Sequence, residues 1–330
     1  MSSSFKGKDL YTCQEWTVEE LDTVFDLARD LKLKFRTGQT TETLKNKTLF
    51  MFFFASSTRT RNSFEAAMTQ LGGHAHYLAP RMMRIGDAGA PEAVKDTVGV
   101  LDRYGHAIAI RCYFPKYGEG ERLIREYGKW SKVPVISMES DVYHPCQALA
   151  DMLTIKEKIP KPEGKKYVQA WGYSPDALRV AAVPTSNVLL MPRYGMDVVY
   201  ARPPEFTLAP EIIEQAKANA KIYGGSFTET TDLEEAADGA DVVYMRSHCS
   251  LNRHVHGDVK EQAIIDKYSD WTCTAELMER TNKRSLFMHC LPADRGHEVT
   301  SEVMDGPHSV VFDEAENRLH VQKAVLSLVV

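Results

Sequence analysis

The 330-residue chain carries 40 Lys and Arg against 45 Asp and Glu, a formal net charge of −5, with 43% hydrophobic residues. That balance gives no general attraction to nucleic acid or acidic membrane, and the length allows two ordinary globular cores. No apolar run reaches about 18 residues, so no membrane span is expected; Met1-Ser2-Ser3-Ser4-Phe5-Lys6 has no signal-peptide core, and Cys13, Cys112, Cys146, Cys249, Cys273 and Cys290 show no paired spacing, so reduced thiols and a cytoplasmic location are expected.

In chain order, Thr17-Val18-Glu19-Glu20 is a capping box that opens a helix with Leu21, Val24, Phe25 and Leu27 facing a core. Apolar runs at 47–54, 107–111, 133–138, 167–171, 197–201, 241–245, 286–290 and 309–312 read as strands. Helical patterns at 62–71, 94–104, 122–130, 144–158 and 211–223 lie among them, and a final amphipathic helix carries Val321, Val325, Leu328 and Val329. The alternation predicts an α/β fold of two domains, each a parallel sheet flanked by helices, with ligands at the carboxyl ends of strands. Ile159-Pro160-Lys161-Pro162-Glu163-Gly164 reads as a linker, with the domain break near residue 150.

The sharpest local signal is Ser57-Thr58-Arg59-Thr60-Arg61, placed where the first apolar strand turns into a helix. A helix start favours anions through its unbonded N–H groups and its dipole. Two guanidiniums and three hydroxyls added there make a phosphate cradle. A single capped helix with a solvated arginine is commonplace; so many polar groups at a buried strand end are costly without a ligand.

Ser57–Arg61 resembles the carbamoyl phosphate signature of the aspartate and ornithine transcarbamylase superfamily. His144-Pro145-Cys146-Gln147 is similar to its H-P-x-Q, His289-Cys290-Leu291-Pro292 to the H-C-L-P of the ornithine branch, and Asp313-Glu314-Ala315-Glu316-Asn317-Arg318 to that branch's last motif. The resemblance implies a transcarbamylase fold: a carbamoyl phosphate-binding domain of residues 1–150 completed by a C-terminal helix of 314–330, and an acceptor-binding domain of 151–313. It implies that Ser57, Thr58, Arg59, Thr60, Arg111, His144, Gln147, Cys290, Leu291 and Arg318 bind carbamoyl phosphate. Arg59, Arg111, His144, Gln147, Cys290 and Arg318 would carry the transfer. His144 and Arg111 would polarise the carbonyl oxygen, and Cys290 and Leu291 would offer backbone carbonyls. Arg318 is expected one turn into the last helix. Cys290 is not expected to be a nucleophile, because no base is fixed beside it and the family uses no covalent intermediate.

On the acceptor side, residues 243–248 (Val243-Tyr244-Met245-Arg246-Ser247-His248) lack the Ser-Met-Gly loop by which ornithine enzymes grip their amino acid. Residues 166–175 and Val183-Pro184 are similar to the knotted branch, which uses N-acetylornithine or N-succinylornithine, so a knot in the C-terminal domain is implied. Two features depart from that branch: no tryptophan occurs in 78–91, and Ala293-Asp294 follows H-C-L-P where basic residues are usual. These and Trp271-Thr272-Cys273-Thr274 look more like related knotted transcarbamylases of unsettled substrate. The expected reaction moves a carbamoyl group between carbamoyl phosphate and the amino group of a carboxylate-bearing acceptor other than plain ornithine; the N-acylornithines are the alternative, and a catalytically inactive ligand-binding homologue is the alternative of another class. Acceptor candidates are Glu139, Arg179, Arg246, Leu291, Pro292 and Asp294. Arg81, Met82, Met83 and Arg84 are expected to reach a neighbouring subunit of a homotrimer. No cofactor is implied. His248, His254 and His256 lack a placed carboxylate or cysteine pair, so no metal site is expected, and Gly118-Glu119-Gly120 lacks the third glycine of a dinucleotide loop.

Overall fold

The computed structural model describes residues 5–80, 92–175 and 178–330, so Arg81, Met82, Met83 and Arg84 lie outside the described residues. The chain divides into two compact units, Met1–Ala150 with Glu316–Val330, and Asp151–Ala315.

The first unit begins with α1 (Val18–Arg36), whose N-cap Thr17 and N3 Glu20 form the reciprocal capping box that their spacing predicts. Then follow β1 (Thr48–Phe53), α2 (Thr58–Gln70), β2 (His74–Leu78), α3 (Val94–Tyr104), β3 (Ala107–Arg111), α4 (Glu119–Trp130), β4 (Val135–Glu139) and α5 (Pro145–Lys158). The sheet runs β2-β1-β3-β4, all parallel. Strands β1, β3 and β4 are mostly apolar because helices cover both faces, which is the pattern of a parallel sheet interior, with Arg111 and Glu139 placed at the carboxyl ends of β3 and β4. Phe52, Ile108, Ile110, Ile124, Tyr127 and Val135 form one core. The strand order reverses between β1 and β3, so the crevice beyond their carboxyl ends is where an open α/β sheet binds its ligand.

The second unit contains β5 (Lys166–Ala170), α6 (Ala182–Leu190), β6 (Asp197–Ala201), α7 (Pro210–Tyr223), β7 (Ser226–Thr230), α8 (Leu233–Ala237), β8 (Val242–Met245), α9 (Arg253–His256), α10 (Asp258–Ile265), α11 (Ala275–Glu279), β9 (Leu286–Met288) and α12 (Ser301–Met304). Its parallel sheet runs β7-β6-β5-β8-β9, with the reversal between β5 and β8. Trp171 stacks on Phe206 at 4.5 Å between ring centroids and anchors the core with Trp271 and Phe287. Val183-Pro184 falls in the first turn of α6. The last helix, α13, is Val311–Val329.

Two expectations are corrected here. The strand expected at 309–312 reduces to a single bridge between Ser309 and Phe287, because α13 already starts at Val311. For the same reason Arg318 lies two turns into the last helix rather than one. Strands β2 and β7 went unpredicted. Both are polar edge strands with no fully buried residue, and edges carry little hydrophobic signal.

Candidate active site

In the first unit, β1 delivers the chain to Ser57, the N-cap of α2. Its side-chain oxygen accepts the Thr60 N–H at 3.2 Å, and its carbonyl accepts the Arg61 N–H at 3.3 Å. The Ser57–Thr60 stretch is therefore the positive first turn of a thirteen-residue helix. Thr60 turns inward, and its hydroxyl accepts from Arg318 Nη2 at 3.4 Å. Arg318 Nη1 donates to Gln147 Oε1, so one guanidinium from α13 ties the start of α2 to the start of α5. Thr58 is exposed and Arg59 half-buried. Arg61 lies outside this cluster, ion-paired with Glu65 at 2.9 Å and over the Tyr77 ring.

Arg111 and Glu139 are the last residues of the neighbouring strands β3 and β4, and they form a buried ion pair. His144 Nε2 lies 3.8 Å from the same carboxylate oxygen. Pro145 opens α5 with its φ pre-set for a helix. The His144 carbonyl accepts the Gln147 N–H at 3.0 Å and the Ala148 N–H at 3.2 Å, so His144 and Gln147 flank one helix start. The turn before them is pinned by Ser140 Oγ, which accepts the Val142 and Tyr143 N–H groups, and by the Asp141 carboxylate, which accepts from Gly120 and Glu121. Arg111 Nε and Arg318 Nε are buried with no hydrogen-bond partner among the described residues. A buried donor left unpaired is costly, and an anionic oxygen is the kind of acceptor each lacks.

In the second unit, Arg246 and Ser247 follow β8, and the H-C-L-P follows β9. The His289 N–H donates to Glu314 Oε2 at 2.9 Å, and Tyr244 Oη donates to Glu314 Oε1 at 3.1 Å. The Leu291 N–H donates to His289 Nδ1 at 2.9 Å, which leaves the ring hydrogen on Nε2. Leu291 has φ 55°, a left-handed conformation uncommon for a branched residue, and the Leu291-Pro292 bond is cis. Arg179 Nη1 stands 2.9 Å from Glu298 Oε1, and Arg179 Nη2 donates to the Pro292 carbonyl at 3.5 Å. Asp294 accepts from Ser174 Oγ and lies 3.9 Å from Arg179.

Burial pushes the Cys290 thiol up, against a downward pull from Arg246, so it stays protonated at neutral pH. Burial pushes His289 down despite its carboxylate neighbour, which keeps the ring neutral. Burial alone would raise Glu298, but His289, Arg179 and Arg246 outweigh it and hold the carboxyl well below its usual range. Glu314 goes the other way: burial, and then Asp151, raise it well above the ordinary carboxylate value.

Residues 8–157 match the family model for aspartate/ornithine carbamoyltransferase, carbamoyl-P binding domain, and residues 178–329 match the one for its Asp/Orn binding domain. The chain belongs to the aspartate/ornithine carbamoyltransferase family. It is 40% identical to the ornithine carbamoyltransferase of Halalkalibacterium halodurans over 98% of this chain and 95% of that protein. It is also 40% identical to that of Pyrococcus abyssi, over 99% and 97%. The solved ornithine carbamoyltransferase of Pyrococcus furiosus superposes with a TM-score of 0.87 at 38% identity, covering 98% of this chain and 97% of that one. An acetylornithine transcarbamylase complexed with acetylcitrulline superposes at 0.89 and 35% identity, covering 98% and 99%. This member of the family is a carbamoyltransferase enzyme.

Within this carbamoyltransferase the structure brings Ser57, Thr60, Arg111, Glu139, His144, Gln147 and Arg318 into the first-unit cluster. Glu139, expected on the acceptor side, stands there as the partner of Arg111. Arg179, Arg246, Cys290, Leu291, Pro292 and Asp294 belong to the strand-end loops of the second unit. Sequence reasoning missed Glu298 and Glu314. Glu298 lies in an ordinary-looking polar stretch and Glu314 inside the last motif without a role assigned to it, and only the tertiary fold shows them buried beneath the H-C-L-P.

Proposed function

We propose that this enzyme moves a carbamoyl group between carbamoyl phosphate and the amino group of a carboxylate-bearing acceptor. The first unit takes carbamoyl phosphate and the second the acceptor. The observation that carries the reading is the linked set Thr60–Arg318–Gln147 beside Arg111–Glu139, with a buried unpaired guanidinium N–H on each arginine. The α2 start, Arg59, Arg111 and Arg318 bind the phosphate and neutralise the charge it gains on leaving. Arg111 and His144 donate to the carbonyl oxygen as it becomes an oxyanion, and Gln147 holds the carbamoyl NH2. Cys290 and Leu291 contribute backbone carbonyls rather than a nucleophile. The protonated Cys290 thiol agrees with this. Little covalent work falls to the protein, so positioning and charge carry the rate.

For the acceptor we favour an amine or ureido acid other than plain ornithine. The Arg246-Ser247-His248 sequence at the end of β8 supports this, with Ser247 and His248 fully buried where ornithine enzymes have Ser-Met-Gly. Arg179 and Arg246 supply positive charge for a carboxylate. Two observations favour other acceptors: the relatives named ornithine carbamoyltransferase favour ornithine, and the likeness to acetylornithine transcarbamylase favours an N-acylornithine of the knotted branch. A cytoplasmic homotrimer completes the reading. The deciding experiment is a screen of amino and diamino acids with carbamoyl phosphate, read by phosphate release. Strong turnover of unmodified ornithine overturns the acceptor reading, turnover of N-acetylornithine or N-succinylornithine alone selects the second, and no turnover with any amine overturns the function.

A further inference from the structure

Glu298 follows the H-C-L-P on the loop between β9 and α12, and it is 0% exposed. Each of its carboxylate oxygens accepts one backbone N–H and has one basic side chain within ion-pair distance. Oε1 accepts the Ser247 N–H at 2.7 Å and stands 2.9 Å from Arg179 Nη1. Oε2 accepts the Asp294 N–H at 3.0 Å and stands 3.3 Å from His289 Nε2. These contacts reach three separate segments: the end of β8, the end of β9 and the stretch that follows β5. Every acceptor candidate of the second unit lies in or next to one of those segments. A carboxylate inaccessible to solvent is inaccessible to substrate as well, and a buried charge persists only when hydrogen bonds and nearby opposite charge compensate it.

We infer that Glu298 is a positioning residue for acceptor recognition: it fixes Arg179 and the backbone beside Arg246 and Pro292 in one geometry and touches no substrate. The His289 ring shares in this. Its Nδ1 accepts the Leu291 N–H, so the ring bridges Glu298 to the left-handed turn at Leu291. Loosening Glu298 loosens Arg179 directly and the H-C-L-P carbonyls through His289, and a small misplacement of binding groups is expensive in an oriented site. The inference rests on the reading that the second unit takes the acceptor.

The test measures KM separately for carbamoyl phosphate and for whichever of L-ornithine, N-acetyl-L-ornithine and N-succinyl-L-ornithine the parent carbamoylates fastest. Glu298→Gln is expected to raise the acceptor KM tenfold or more with the carbamoyl phosphate KM within twofold, and Glu298→Asp to fall between it and the parent. Arg179→Gln should also raise the acceptor KM, and the double variant should be no worse than the poorer single one, because both act through one contact. Should Glu298→Gln fail to fold, Glu298→Asp carries the same comparison. Amide exchange gives a readout free of turnover: Ser247 and Asp294 should exchange faster in the Glu298 variants. The inference is overturned if Arg179→Gln raises the acceptor KM and the Glu298 variants do not, if both KM values rise together, or if exchange at Ser247 and Asp294 is unchanged. If Arg179→Gln and Arg246→Gln both leave the acceptor KM unchanged, the reading of the second unit as the acceptor side fails instead.

Discussion

Glu139→Gln isolates the charge balance of the phosphate cluster. In the parent, the Arg111 guanidinium and the Glu139 carboxylate neutralise each other with side chains 12% and 6% exposed. The amide keeps the shape and removes the counter-charge, leaving Arg111 buried and uncompensated. Breaking a buried pair in this way costs about 3–5 kcal/mol, and the slight exposure of Arg111 places the expected loss near the lower end, about 3 kcal/mol. For a unit of this size that lowers the ligand-free melting temperature by about 6–12 °C. A phosphate bound beside Arg111 restores the missing negative charge, so the loss is recovered on binding. Inorganic phosphate and carbamoyl phosphate should then bind the variant more tightly than the parent, by about tenfold for each 1.4 kcal/mol recovered. Turnover should nonetheless fall, since Arg111 and His144 lose the carboxylate between them. Thermal melts across a phosphate titration and calorimetry with carbamoyl phosphate read both effects. A variant that melts like the parent, or binds phosphate more weakly, refutes the idea that Glu139 and the ligand compete for the Arg111 charge.

Ser57→Ala removes the cap of α2 and should cost about 1 kcal/mol of stability in urea unfolding while weakening phosphate binding, with Ser57→Thr largely normal; an unchanged midpoint and unchanged affinity would reject this role. Cys290→Ser should keep kcat within about tenfold, because a thiol held protonated by burial is no nucleophile; complete loss of turnover with the fold intact would reinstate covalent catalysis. Glu314 gives a pH signature. Its folded value is raised above the ordinary 4.5, so the unfolded chain ionises first. The stability it contributes is full below about pH 4.5 and is lost as pH rises through the folded value, at about 1.4 kcal/mol per pH unit. Glu314→Gln titrates nothing there, so the stability difference between parent and variant should shift in the variant's favour as pH rises above about 4.5; parallel pH curves would contradict the assignment.

Much of the fold was legible because parallel strands covered on both faces must be apolar: Leu49–Phe53 and Ala107–Ile110 announce themselves. β2 and β7 were not legible, since His74-Ala75-His76-Tyr77-Leu78 and Ser226-Phe227-Thr228-Glu229-Thr230 sit at sheet edges with little to bury. The run at 309–312 misled for a related reason: a short apolar stretch reads equally as a strand or as the first turn of a buried helix. The clustering of Thr60, Gln147 and Arg318 was legible in its motifs, because polar groups repeated at strand ends stand out against apolar strands. Two buried carboxylates were not: Glu298 and Glu314 draw their contacts from partners that sequence spacing does not bring together, and Glu139, picked out in the sequence for the acceptor, is paired with Arg111.

The Arg318 contacts also order the site in time. Thr60 and Arg318 are 258 residues apart, and Gln147 and Arg318 are 171. At a synthesis rate of about 5–20 residues per second, Thr60 leaves the ribosome roughly 13–50 s before the guanidinium that joins it. Once Gln147 has emerged, a nascent first domain carries the helix start, Arg111 and His144 but still lacks the cation that links Thr60 to Gln147. The anion cluster closes only when the chain has been translated past the whole second unit. A half-made polypeptide therefore lacks the Arg318 bridge between the starts of α2 and α5 until the loops of the second unit have been made.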